Sequence, residues 1–257
     1  MSRRVSHSLL DPIIGPRLQS LYPILQIPRW FPPEGIVLVG HLSAIAGAVG
    51  FAFSTQVWWG GVVGCLGVIG NHTADCLDGT HARSTGQCRN GGELLDHFTD
   101  PLSFAYILIG LAVACGRLEL GLAAVCCLFA MAVLTNIKTK MTGEFTLATF
   151  GPTEFKTALA ISGLLLSIGT TTWLGATFAL PLAFYGYSAM VIAGIGMLIH
   201  QLVTAVKEVN RCGAEVDTAP WVTRSQAKEV SQRIIDKNQR VHDDAFVTAF
   251  GRETRPM

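Results

Sequence analysis

The chain has 257 residues, 50% of them apolar and 14% charged, with 19 Lys or Arg against 18 Asp or Glu. This composition, with a mean hydropathy of +0.42, excludes an ordinary soluble domain and describes a multi-span membrane protein. A net charge of +1 gives no electrostatic footprint for nucleic acid, and no nucleic-acid motif is present.

The first residues are polar and the stretch after them is broken by Pro, so no cleavable signal peptide is read there. Residues 8–30 mix Leu, Ile and Tyr with Pro and Arg, and predict a helix lying on the membrane surface within an N-terminal segment over 1–34. Six apolar runs follow, at about 35–54, 57–74, 101–115, 120–137, 157–174 and 176–199. Most approach the ~20 residues that a membrane-crossing helix needs. The predicted fold is an all-α integral membrane protein: six transmembrane helices form one catalytic domain over 35–206, and a cytosolic tail covers 207–257. Pro181 is placed to kink the last span. Trp30, Trp58, Trp59 and Trp173, near span ends, read as interface anchors. Within the tail, 225–250 reads as helix. The seven cysteines are scattered, several in apolar stretches, and read as small buried hydrophobes, not a disulfide framework.

Six spans put both ends of the chain on one side. That side collects 18 of the 19 Lys and Arg, with Arg117 alone opposite. The positive-inside rule makes it the cytoplasmic side, of the inner membrane if the cell is bacterial.

Between the second and third runs lie four carboxylates: Asp75, Asp78, Asp96 and Asp100. A carboxylate at the edge of a membrane is costly unless it is paired, hydrated or bound to metal. Asp75 and Asp78 share a helix face, as do Asp96 and Asp100. Four such charges around one small volume repel unless some protonate or cations neutralise them. Oxygen ligands favour Mg²⁺ or Mn²⁺, and no Cys/His pair here has zinc-site spacing. All four lie on the predicted cytoplasmic side.

The spacing around these acids is D-x2-D-G-x2-A-R-x8-G-x3-D-x3-D, filled by Asp75, Asp78, Gly79, Ala82, Arg83, Gly92, Asp96 and Asp100. In this the chain resembles the CDP-alcohol phosphatidyltransferase superfamily. The resemblance implies an acceptor hydroxyl attacking the β-phosphorus of a CDP-alcohol, with CMP leaving and no covalent intermediate. It implies two Mg²⁺ or Mn²⁺ ions held by Asp75, Asp78 and Asp96, with Asp100 near a metal and acting as general base. Asp75, Gly79, Ala82, Arg83 and Gly92 would meet the CDP group; Arg83, as a planar fork, suits a diphosphate, and a buried-side Arg needs an anion. Members of the superfamily often form homodimers.

Two further stretches resemble the choline and ethanolamine phosphotransferase branch: Gly92-Glu93-Leu94-Leu95-Asp96-His97, and the loop holding 142–147 and 151–154. In that branch diacylglycerol attacks CDP-choline or CDP-ethanolamine. Glu93, Glu144 and Glu154 would then hold a cationic headgroup, with His97 and His72 beside the carboxylates, whereas His41 reads as a satisfied interfacial histidine. The chain departs from the branch in its six spans, in Ser84 where a second Arg is usual, and in Phe98 where Gly is usual. A second reading takes CDP-diacylglycerol as donor and glycerol phosphate, inositol phosphate or serine as acceptor. For a phosphorylated acceptor Lys138, Lys140 and Lys156 are on the right side. A third, of another class, is a transporter or structural membrane protein. Ionisable groups gathered at one end of the spans argue against it.

Overall fold

A computed structural model describes residues 3–147, 150–171 and 176–212, with Val216, Thr218 and Thr223 beyond them. The chain divides into two compact units, Met1–Ala214 and Glu215–Met257. The elements below all belong to the first. The helix expected over 225–250 and the anchor Trp173 lie outside the described residues.

In chain order the elements are β1 (Arg3–Ser6), α1 (Asp11–Gln19), α2 (Tyr22–Leu25), α3 (Pro33–Phe53), α4 (Trp58–Thr85), α5 (Asn90–Ala114), α6 (Leu118–Thr142), β2 (Glu144–Leu147), α7 (Pro152–Gly169) and α8 (Ala176–Cys212). The fold is mostly helical, as expected, but not wholly so. Strands β1 and β2 pair in parallel, Arg3 opposite Glu144 and Ser6 opposite Leu147. Strands of four residues, distant in sequence, carry too little alternation to be read as strands from the sequence.

Among the described residues, four helices are long and apolar enough to cross a membrane: α3, α5, α6 and Phe178–Cys212 within α8. Helices α4 and α7 cover the other two expected runs. The second half of α4 is polar, carrying His72, Asp75, Asp78 and Arg83, and α7 has only 18 residues. Length and composition therefore support four of the six expected crossings. Helix α8 runs on through Cys212, past the boundary expected at 206.

Helix α3 packs against both α4 and α5, α7 against α4, and α8 against α6 and α7. Without a strong hydrophobic drive between helices in lipid, small residues let backbones approach. Gly61 on α4 faces Gly163 on α7: a Cβ on Gly163 would stand 2.7 Å from the Gly61 carbonyl oxygen. The core lies where α3, α4, α5 and α7 meet, with Phe51, Val68, Ile107 and Leu159 fully buried. Tyr187 ties α8 to it by donating to the Leu108 carbonyl at 2.8 Å.

The N-terminal segment, expected as one interfacial helix, is broken into α1 and α2 and bound to the bundle at two places. His81 on α4, wholly buried, bonds Tyr22 Oη through Nδ1 at 2.8 Å and the Phe31 carbonyl through Nε2 at 2.8 Å. The second place is Glu154, in the first turn of α7. Its Oε1 accepts from Ser8 Oγ at 2.6 Å, Leu9 N at 2.8 Å and Leu10 N at 3.0 Å, and its Oε2 from Gly151 N at 2.9 Å. One carboxylate thus satisfies open N–H groups at the starts of both α1 and α7.

Candidate active site

Helix α4 ends two turns after Asp78 because Gly86 takes the left-handed conformation, φ 72°, and its N–H returns to the Ala82 carbonyl. The chain turns and re-enters as α5 at Asn90. The motif therefore occupies the end of one helix and the start of the next, with α3 beside both.

A small cavity of about 10 Å³ lies among the three helices, room for one ion or water. Asp75, Asp78, Asp96 and Asp100 all line it, with Gly40 and His41 from α3. One carboxylate oxygen each from Asp75, Asp96 and Asp100 lie within 4.8 Å of one another. Octahedral ligands at 2.0–2.1 Å from Mg²⁺ are about 3–4 Å apart, so a small closure fits the trio to a hard divalent ion. Asp78 is buried on the same wall, and its Oδ1 accepts the Gly79 N–H.

Arg83 departs from the expectation of a buried-side arginine. It is exposed near the end of α4, and its guanidinium rests over Gly79, where a Cβ would stand 3.2 Å from Nη1. Gly79 thus leaves room for the arginine, whose fork lies over the residue that follows Asp78. Gly92 faces Glu34 on α3, which pairs with Arg89 at 3.0 Å. His41 is satisfied, bonded to Ser103 at 2.9 Å and Tyr106 at 3.2 Å.

His72 and His97 part company. His72 Nδ1 lies 3.7 Å from Asp75 Oδ2, as expected of a partner of the carboxylates. His97 instead stacks near Phe145, ring centroids 5.4 Å apart, with Nε2 3.9 Å from Glu93. Neither Glu93 nor Glu144 is among the described residues lining a cavity at the site, and Glu154 is taken up by backbone and Ser8 donors. The expectation that Glu154 reads a cationic headgroup is corrected: its two oxygens accept from donors at the starts of α1 and α7.

Lys156 is the residue whose place sequence reasoning missed. It read as one of three cations placed for a phosphorylated acceptor, and it is 2% exposed with Nζ 2.7 Å from Asp75 Oδ2. The available signal was a lysine at the start of an apolar run on the same side as the acids.

A second, larger cavity of about 900 Å³ opens beside the first, between α5, α6, α7 and α8. Leu108, Leu128, Met131, Met190, Val191 and Met197 give it apolar walls. Lys138 is the one Lys or Arg among the described residues lining it, and its Nζ is paired with Glu208 at 2.7 Å. Asp100 lines both cavities. It stands between a polar pocket sized for an ion and an apolar chamber sized for a lipid.

A family model described as CDP-alcohol phosphatidyltransferase matches residues 33–206. Cholinephosphotransferase 1 of Gallus gallus is 30% identical over 113 residues, 42% of this chain and 33% of that protein. The phosphatidylinositol phosphate synthase of Mycolicibacterium smegmatis is 32% identical over 112 residues, 42% of this chain and 49% of that protein. The chain therefore matches half or less of the length of these relatives. Among solved structures, the Mycobacterium tuberculosis phosphatidylinositol phosphate synthase with CDP-DAG bound superposes with a TM-score of 0.52 at 14% identity, covering 82% of this chain and all of that one. That likeness is one of fold.

Proposed function

The chain belongs to the CDP-alcohol phosphatidyltransferase family, membrane enzymes of phospholipid synthesis that transfer substituted phosphate groups, and on that premise we propose that its acceptor is a lipid alcohol of the diacylglycerol type. The donor is then a CDP-amino-alcohol, CDP-choline or CDP-ethanolamine. The observation that carries this reading is the apolar chamber abutting Asp100. A general base must lie within reach of the hydroxyl whose proton it takes, so the space beside Asp100 on the side away from the other carboxylates belongs to the acceptor. A phosphorylated acceptor would need cations there. Lys138 is engaged by Glu208, and Lys156 by Asp75.

Each residue of the motif then has a task. Asp75, Asp96 and Asp100, with Asp78 beside them, would hold Mg²⁺ or Mn²⁺, and the bound cation would neutralise the charge of the diphosphate. Arg83 forks onto the diphosphate oxygens. Asp100 takes the acceptor's proton as the acceptor oxygen forms its bond to the β-phosphorus, and the bond from that phosphorus to CMP breaks. A carboxylate is a weak base for an alcohol, so this transfer comes late, as the oxygen loses basicity on bonding. The catalytic domain is 35–206, its six helices cross the membrane, and the acids face the cytoplasm with the basic residues.

The test is turnover by purified protein across donors and acceptors. Diacylglycerol with CDP-choline or CDP-ethanolamine should give product. CDP-diacylglycerol with glycerol phosphate, inositol phosphate or serine should not, and efficient turnover of that pair would overturn the lipid-acceptor reading. Filling the chamber by Ala124→Phe should raise the KM for diacylglycerol more than that for the CDP-alcohol.

A further inference from the structure

Lys156 brings a full charge into the core, and such a charge is tolerated only with a close partner. Nine-tenths or more of it is removed from solvent, at 2% exposure, and its Nζ lies 2.7 Å from Asp75 Oδ2. The ring of Phe104 lies 5.4 Å from the same nitrogen, within range of a cation–π contact. The helices that hold the two partners are fixed by close backbone contact. Gly61 on α4 meets Gly163 on α7 toward one end, and Asp75 meets Lys156 toward the other, so the pair sits in an antiparallel register set by small residues. His72 approaches the same oxygen from α4, and neither of its buried ring nitrogens has a hydrogen-bond partner among the described residues.

We propose that Lys156 is a positioning residue of the carboxylate site: its ammonium holds one oxygen of Asp75, leaves the other for a divalent ion, and keeps the four-acid cluster intact before the metal binds. The inference rests on reading those acids as a metal site. Lys156 supplies one resident positive charge against four carboxylates, and a bound divalent ion supplies the remainder. Without the lysine, an apoprotein with four mutually repelling acids loses stability, and metal takes over its role.

Lys156→Met keeps the length of the side chain and removes the charge. In excess chelator its melting temperature should fall below wild type by roughly 10 °C, and saturating Mn²⁺ should recover at least half of that loss. The stabilisation by Mn²⁺ is therefore larger in the variant than in wild type. A lysine that merely packs gives the same Mn²⁺ shift in both proteins, and that result overturns the proposal. A double-mutant cycle in chelator with Asp75→Asn tests the pair with no metal at all. The double variant should melt above Lys156→Met alone, since the stranded charge is gone; additive losses overturn the proposal. If Lys156→Met does not fold, the cycle is run with Lys156→Gln, under the same two criteria. A wild-type protein whose melting does not respond to Mn²⁺ would overturn the metal reading itself, and Lys156 with it, whereas failure of the cycle alone leaves the metal reading standing.

Discussion

The paired ends of α4 and α5 and the first turn of α7 both bring charge to the same neighbourhood, but they are built differently. On α4 and α5 the charged groups stand three and four residues apart, so one helix face gathers them. On α7, Glu154 and Lys156 are two apart and point away from each other. Glu154 turns toward Ser8, Leu9 and Leu10, and Lys156 toward Asp75. The first region is local in sequence and, on the function proposed above, carries the chemistry. The second is assembled only when distant segments meet, and its proposed part is to hold the first in place.

The sharpest way to test the first region is to remove its cations. The trio of Asp75, Asp96 and Asp100 has oxygens within 4.8 Å of one another, which like charges sustain poorly alone. Chelation should take activity to background, and Mg²⁺ or Mn²⁺ should restore it. Full turnover with metal content shown to be negligible would end the metal reading. Next in size, Asp100→Asn should lower kcat by about 10²–10⁴-fold, the usual cost of losing a general base. Donor binding, measured on the same protein, should suffer less than in Asp75→Asn or Asp96→Asn. Near wild-type kcat in Asp100→Asn would remove the base assignment, and with it the argument that the chamber beside Asp100 belongs to the acceptor.

The same contrast explains what could be read from the sequence. The helical class, the apolar runs and the grouping of Asp75, Asp78, Asp96 and Asp100 follow from periods of three, four and about twenty residues, which are visible along one chain. The pairing of β1 with β2 and the Glu154 tether join residues more than a hundred positions apart. No local pattern announces them. Lys156 and Glu154 are both visible as charges at the start of an apolar run, yet their partners are not, so the one reads as a cation for a phosphorylated acceptor and the other as a headgroup ligand. The exposure of Arg83 was missed for a related reason. Its place in the motif says that an anion is near but not which way the helix end faces.

To break the second region, Glu154→Ala should cost about 1–3 kcal/mol, as loss of a buried, several-fold hydrogen-bonded acceptor does. Burial alone would raise this carboxyl, but hydrogen bonds from Ser8, Leu10 and Gly151 outweigh it and hold the group at about 2, below its ordinary 4.5. A lowered value means the ionised form carries the stability. The contribution is complete above about pH 4.5 and is lost as pH falls toward 2. Melting curves of wild type and Glu154→Ala should therefore differ most at neutral pH and converge through that window. A gap that stays constant down to pH 2 would show that the carboxylate's charge is not what binds the N-terminal segment.

The smallest expected effect is at Arg83, and it tests how the two regions meet the substrate. The guanidinium lies over Gly79, within 3.2–3.8 Å of where a Cβ would be, at the exposed end of α4. From there it can swing onto a diphosphate lying across the carboxylates with little rearrangement. Arg83→Lys keeps the charge but replaces a planar fork by a point donor, so two parallel hydrogen bonds become one. The loss falls on binding shared by ground and transition states, so the KM for the CDP-alcohol should rise, by roughly 3–10-fold, with kcat little changed. An unchanged KM for every donor tried would mean that Arg83 serves α4 and not the diphosphate. A kcat loss as large as that of Asp100→Asn would mean that the guanidinium acts chiefly in the transition state. In that case the charge at the end of α4 belongs with the chemistry of the acids, and the division between a catalytic region on α4 and α5 and an anchoring region on α7 would be sharper than the binding role alone implies.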